Sequence, residues 1–238
     1  MTRLLAFDTA TEHMSIAVAH ADQVFVHEAA GGAQASATLI PAILALLAQA
    51  GLALRDLDAI AFGRGPGAFT GLRTACSVAQ GLALGAGKPV LPIDTLLAVA
   101  EDCRADAAQA RVWVAMDARM NEIYAAQYAF EQGRWQVLDA PLLITPDALN
   151  ERWQAAPPQA VAGNAVAAFG SVLHTGAAVI HAQARPSARA MLPLARTMWR
   201  DGGAVDAALA LPLYLRDKVA QTTLEREAVR IAKLEAAA

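Results

Sequence analysis

The sequence predicts an α/β protein of two lobes, the second a reduced repeat of the first. Three observations carry this reading. Short apolar runs ending at Asp or Gly alternate with longer helical patterns from Leu4 onward. A polar, alanine-rich stretch from Glu101 to Gln109 interrupts that pattern. The same order of elements then starts again at Arg111. The repeat is read from element order and not from matching residues. It places the lobes at residues 1–104 and 105–238.

Leu4-Leu5-Ala6-Phe7 is an apolar run closed by Asp8, the pattern of a buried strand. Met14–Val18 and Val24–Val26 alternate as strands do, with Asp8–Glu12 as the turn between the first two. A glycine-rich link leads to a helix from Leu39 to Ala50. Proline is tolerated in the first helical turn, so Thr38 is the expected cap and Pro41 the third helical residue. Gly51 ends this helix. Its apolar residues surround it, so it must be covered on two sides. A strand from Asp58 to Gly63 follows, then the loop Gly63–Arg73 and a helix from Leu72 to Ala86. Val90–Ile93 is the next strand, and Asp94-Thr95 caps a helix reaching Cys103. A three-strand meander feeding two parallel crossovers is the half-unit of actin-like (ASKHA, sugar-kinase-like) folds.

The second half repeats this order. Arg111–Met116 is a strand ending at Asp117. Ile123–Phe130 and Trp135–Leu138 are strands joined by the turn Glu131-Gln132-Gly133. Thr145 caps a short helix, Gln159–Ala162 is a strand, and Pro186 starts a helix to Asp201. Thr222–Ala238 reads either as a short amphipathic helix or as a frayed tail.

The chain of 238 residues is 56% hydrophobic and 17% charged, with a mean hydropathy of +0.34. That supports a large core and some surface covered by a partner. No run approaches the roughly 20 apolar residues of a membrane span. A net charge of -3 leaves no basic footprint for autonomous nucleic-acid binding. Cys76 and Cys103 sit in apolar helical contexts and read as buried free thiols. The N-terminus lacks the charged-then-apolar signal pattern, so a cytoplasmic location is expected.

The loop Gly63-Arg64-Gly65-Pro66-Gly67-Ala68-Phe69-Thr70-Gly71-Leu72-Arg73 is the most distinctive stretch. It carries four glycines in nine residues. Pro66-Gly67 fits the middle of a type II turn, with Gly67 at φ > 0, and Thr70 fits a helix N-cap. Such a loop ahead of a helix either makes a tight connection or holds an anion on its amides. Gly63-x-Gly65-x-x-Ala68 mimics a dinucleotide fingerprint, but Pro66 separates the glycines from the helix. A P-loop is absent. Asp8-x-Thr-x-Thr11 places a carboxylate and hydroxyls where actin-like ATPases hold phosphate and Mg²⁺. Equally, Asp8 suits acceptance of its own turn's amides. The candidate nucleotide or structural residues are therefore Asp8, Thr9, Thr11, Gly65, Gly67 and Thr70. Arg119 has Asp117, Asp8 or a phosphate as possible partners. The five histidines are never three or four apart, so none form a helical metal pair. No nucleophile elbow or Cys-His signature is present.

The long loop (GRGPGAFTGLR), the opening LLAFDTATEHMSIAV, DARMNEIYAA in the middle and YLR near the end together resemble the bacterial TsaB (YeaZ) family, from Leu4 to about Val219. The resemblance implies the actin-like fold and a subunit with no catalytic residues, metal or tightly bound cofactor. It implies binding to TsaD, the catalytic subunit that installs threonylcarbamoyl on the adenosine 3′ of the anticodon in tRNAs reading ANN codons. TsaE, and ATP used by the assembled complex, would complete the cycle; TsaC-type enzymes would supply the activated group. tRNA would be met only through the complex, and the chain alone would form a homodimer. In the family a His-Ser or His-Thr pair often precedes the first long helix; here Ala35-Ser36 stands there.

The expected partner surface is the pair of long helices: Leu39, Ile43 and Leu46 on the first, and the small-residue stripe Thr74, Val78, Gly81 and Gly85 on the second. The alternative for the glycines is packing against a helix of their own lobe. Two other functions remain open from sequence: a stand-alone ATP-dependent kinase, and an inactive metallopeptidase-like protein of the same fold.

Overall fold

A computed structural model describes residues 2–216. The first sheet holds β1 (Leu4–Asp8), β2 (His13–His20), β3 (Gln23–Ala30), β4 (Ala59–Gly65) and β5 (Val90–Asp94), in the order β3-β2-β1-β4-β5. β1 runs antiparallel to β2 and parallel to β4. It is covered on both faces, which is why it reads as a continuous apolar run. Leu5 and Phe7 point to a core shared with α1 (Ala35–Gln49) and α2 (Phe69–Ala86). Leu4 and Ala6 point to the opposite core.

The second sheet holds β6 (Ala110–Asp117), β7 (Ile123–Glu131), β8 (Arg134–Ile144), β9 (Ala160–Ala162) and β10 (Val179–His181), in the order β8-β7-β6-β9-β10. An antiparallel meander followed by two parallel strands is the first sheet again. The actin-like repeat expected from element order is therefore present. α4 (Pro146–Ala155) and the short α5 (Ala165–Phe169) cover one face through Leu149, Trp153 and Ala165. Thr145 caps α4 by accepting from the Ala148 amide.

The two remaining helices change places. α3 (Thr95–Arg104) belongs to the first half of the chain, yet its Leu96, Val99 and Ala100 pack on Val112, Val114 and Tyr128 of the second sheet. α6 (Ala188–Arg200) belongs to the second half, yet its Met191, Leu192 and Ala195 pack on Leu4, Ala6, Ala17 and Ala19 of the first. The stretch just after α6 stays there. Val205 pairs with Val90, and Ala207 and Ala210 complete the α1/α2 core. The division at 104/105 follows the chain, whereas the packing interleaves the two halves.

Two local expectations are corrected. α1 starts at Ala35, with Gln34 and not Thr38 at its cap, and contains Pro41 in its interior. Pro41 and Ala37 are both exposed, so the carbonyl that loses its intrahelical partner meets water. α2 starts at Phe69, with Ala68 as its cap. β8 is also longer than expected, and α5 and β10 were not anticipated. The amphipathic helix or frayed tail expected at Thr222–Ala238 lies outside the described residues. Among the described residues no helix is long and apolar enough to cross a membrane.

Candidate functional site: the interlobe cleft and the helical face

The turn after β1 and the glycine loop close on each other. Asp8 is buried; one of its oxygens accepts from the Ala10 amide at 2.7 Å and the other from the Thr95 hydroxyl at 2.9 Å. A Cβ on Gly63 would come within 1.8 Å of that second oxygen. Burial pushes the Asp8 carboxyl up to about 6, against the opposing pull of the Ala10 amide and the Thr95 hydroxyl. The Thr9 hydroxyl donates to the Gly71 carbonyl at 2.7 Å, and a Cβ on Gly71 would lie 1.9 Å from the Thr9 carbonyl. A Cβ on Gly67 would lie 2.6 Å from Ala10, whose carbonyl accepts from the Ala68 amide at 2.8 Å. The loop glycines therefore admit the chain's own first turn.

The type II turn is corrected. The positive φ belongs to Gly65, at +110°, followed by a cis bond to Pro66, and Gly67 is not left-handed. Thr70 is not a cap; it is exposed within α2 and its carbonyl accepts from the Thr74 hydroxyl at 3.0 Å. Thr11 lies at the cleft, where its hydroxyl accepts from the His13 amide at 3.1 Å. Much of this set is engaged within the chain. Both Asp8 oxygens are engaged, Thr9 is turned to Gly71, and the loop amide at Ala68 is bonded within the chain.

A cleft of about 580 Å³ opens above this floor, between the glycine loop and the β6–β7 turn. That turn contains three successive left-handed residues, Arg119, Met120 and Asn121, at φ +62°, +57° and +59°. Each costs on the order of 1–2 kcal/mol relative to a right-handed residue. Asp117 accepts from the Arg119 amide at 2.8 Å, and the Ala118 amide reaches the Glu122 carbonyl at 2.9 Å. The Arg119 guanidinium pairs with Asp117 at 3.2 Å and with Glu12 across the cleft at 3.6 Å. Asp8 is not its partner.

The helical face differs in part from expectation. Leu39, Ile43 and Leu46 are core residues facing the first sheet, so they are removed from the candidate partner surface. Their neighbours Ile40 and Leu44 are the exposed ones, at 42% and 50%, and Leu84 on α2 reaches 79%. Thr74 and Val78 are half-buried, with Val78 packed against the core. Gly81 and Gly85 are exposed, and a Cβ on either would meet nothing within 4 Å. They do not serve packing against a helix of their own lobe. Ile40 and Leu44 were missed because α1 is apolar all round, which hides the phase of its buried stripe; Leu84 lies on α2 beside the small-residue stripe and was passed over in favour of the glycines.

A family model described as "TsaD: tRNA N6-adenosine threonylcarbamoyltransferase" matches residues 19–223. The chain is 36% identical to the "tRNA threonylcarbamoyladenosine biosynthesis protein TsaB" of Escherichia coli (strain K12), over 92% of this chain and 96% of that relative. It is 35% identical to the Haemophilus influenzae protein of the same name, over 91% and 94%. The solved structure of YeaZ from Pseudomonas aeruginosa superposes with a TM-score of 0.82 at 37% identity, covering 90% of this chain and 100% of that one.

The chain belongs to the TsaB family.

At Ala35 the expectation from the resemblance is a departure from a frequent histidine. This residue is fully buried in the α1/α2 core, so the position presents no polar group. Among the described residues no three His, Cys, Asp or Glu side chains converge as metal ligands. Burial pushes the Cys76 and Cys103 thiols up to about 11, away from nucleophilic use.

Proposed function

We propose that this chain is a non-catalytic subunit of the tRNA threonylcarbamoyladenosine machinery, and that it holds the catalytic subunit TsaD on the exposed face of α1 and α2. The observation that carries the reading is the open stripe of Gly81 and Gly85 on α2, together with the exposed apolar side chains of Ile40 and Leu44 on α1 and Leu84 on α2. Small residues let a second helix approach closely, and the apolar flanks supply area to bury. The match to a TsaD family model supports a partner with similar helices. The names of the relatives in Escherichia coli and Haemophilus influenzae support the pathway. Alone, the same face joins two copies of this chain. TsaE, and ATP turned over by the assembled complex, complete the cycle, and tRNA is met through the complex.

The test is Gly81→Arg, read by light scattering alone and with TsaD, with circular dichroism and melting temperature as controls. The expected result is a folded monomer that binds TsaD at least about tenfold more weakly, as a bulky charge at an interface centre produces. A folded variant that dimerises and binds TsaD normally places the interface elsewhere. ATP turnover by the chain without partners would instead favour the kinase reading.

A further inference from the structure

Tyr214-Leu215-Arg216, the YLR of the sequence, runs across the mouth of the cleft and touches both lobes. On the first lobe, the Leu213 amide donates to the Arg64 carbonyl at 2.7 Å. The Leu213 carbonyl sits where a Cβ on Gly65 would fall, at 2.9 Å. Tyr214 lays its ring against Phe69, centroids 5.4 Å apart, and its hydroxyl accepts from the Arg73 Nε at 3.2 Å. The Arg73 guanidinium also covers the Phe69 ring at 3.8 Å. Arg73 is exposed on α2, one helical turn before Ser77 and two before Gly81, so it belongs to the same outer face.

On the second lobe, Arg216 enters the β6–β7 turn. One terminal nitrogen donates to the Ala118 carbonyl at 3.0 Å, the Arg119 carbonyl at 3.2 Å and Glu122 at 2.6 Å. These are the carbonyls and the acid of the turn that holds three left-handed residues. Its Nε is buried and, among the described residues, meets no acceptor. A guanidinium drawn into a strained turn with one donor unmatched is a closed arrangement that a competing contact can open.

We propose that Leu213–Arg216 is a latch across the cleft, which ties the outer face of α2, through Arg73 and Tyr214, to the β6–β7 turn. Its first-lobe end lies beside the face assigned to TsaD, and the coupling to a partner rests on that reading. A partner helix that draws Arg73 away from Tyr214 loosens the latch. The turn then relaxes and the cleft opens. Lysine cannot replace Arg216, because the other terminal nitrogen meets the Met120 sulfur at 2.8 Å, and a single ammonium cannot keep the planar fork that spans both sets of contacts.

Hydrogen–deuterium exchange on the full chain, read over peptides spanning 117–123, tests the latch. Arg216→Lys is expected to speed exchange in that turn at least about tenfold while β1 and β4 keep their wild-type protection. Unchanged exchange at 117–123, or a uniform rise everywhere, overturns the latch. The coupling is read by adding TsaD. In the wild type, TsaD is expected to speed exchange at 117–123. In Tyr214→Phe, which keeps the ring and removes the acceptor of Arg73, TsaD binds but the turn no longer responds. Binding of TsaD to the wild type with no response at 117–123 overturns the coupling. No binding of TsaD overturns the partner reading and the coupling with it, and the Arg216→Lys result still decides the latch.

Discussion

Two residues bear on what the sequence left open about the first turn. Asp8 had a metal-binding and a structural reading, and its bonds to Ala10 and Thr95 favour the structural one. Asp117 repeats the geometry on the second lobe, accepting from the Arg119 amide two residues on, as Asp8 accepts from Ala10. The internal repeat thus reaches single residues, where only element order was legible in sequence. The burial of Asp8 has a measurable consequence. The unfolded chain gives up this proton near 3.8 and the folded chain holds it to about 6. Between those values the native state binds more protons, so this group's contribution falls as pH rises, and above about 6 the full cost remains. That cost is on the order of 3 kcal/mol at most. Asp8→Asn removes the titration whatever it does to the bonds. The stability of the variant relative to wild type should therefore rise from pH 4 to pH 6 and level off by pH 7. Urea midpoints measured across that range check this, and parallel curves would show that Asp8 titrates normally.

The elements were legible where hydrophobic period and termination agree, and ambiguous where they do not. β1, β2, β4, β6 and β7 follow from short apolar runs ending at polar or glycine residues. α5 and β10 are too short to show a period. α1 is apolar on every side, so nothing in its sequence distinguishes Leu39, which is buried, from Ile40, which is exposed. The loop offers four glycines, and composition alone does not say that Gly65 takes the positive φ while Gly67 and Gly71 make room for Ala10 and Thr9. The glycines of α2 separate the two roles experimentally. Gly71→Ala drives a Cβ into the backbone oxygen of Thr9 and should destabilise by about 3 kcal/mol or more, the range of severe packing and strain mutations. Gly85→Ala meets only open space and should stabilise the isolated monomer by roughly 0.5–1 kcal/mol, since glycine is the poorer helix former. In the same variant the added methyl lies on the proposed interface, so association with TsaD should weaken as the monomer gains stability. Thermal melts and a binding titration on one protein read both signs. A Gly71→Ala protein as stable as wild type would refute the packing of the loop on the first turn.

At the scale of the whole molecule the exchange of α3 and α6 makes the two lobes interdependent. The sequence did not show it, because a helix's apolar stripe says that a sheet covers it but not which sheet. Once α6 is placed, the first sheet's Leu4, Ala6, Ala17 and Ala19 face is seen to be covered by residues far along the chain, and the α1/α2 core needs Ala207 and Ala210. The second sheet's Val112, Val114 and Tyr128 likewise need α3. A fragment ending at residue 104 would expose the whole α6-facing side of its sheet, and one starting at 105 would expose the α3-facing side. Apolar burial contributes about 25 cal/mol per Å², and a domain's net stability is only about 5–15 kcal/mol. Neither fragment can lose a helix layer and remain folded. The intact chain should therefore unfold in one calorimetric transition with matching van't Hoff and calorimetric enthalpies. Residues 1–104 and 105–238, expressed apart, should each lack a cooperative melt and regain one when mixed, as each supplies the other's missing helix. A fragment 1–104 that melts cooperatively by itself would show that the first sheet does not depend on α6.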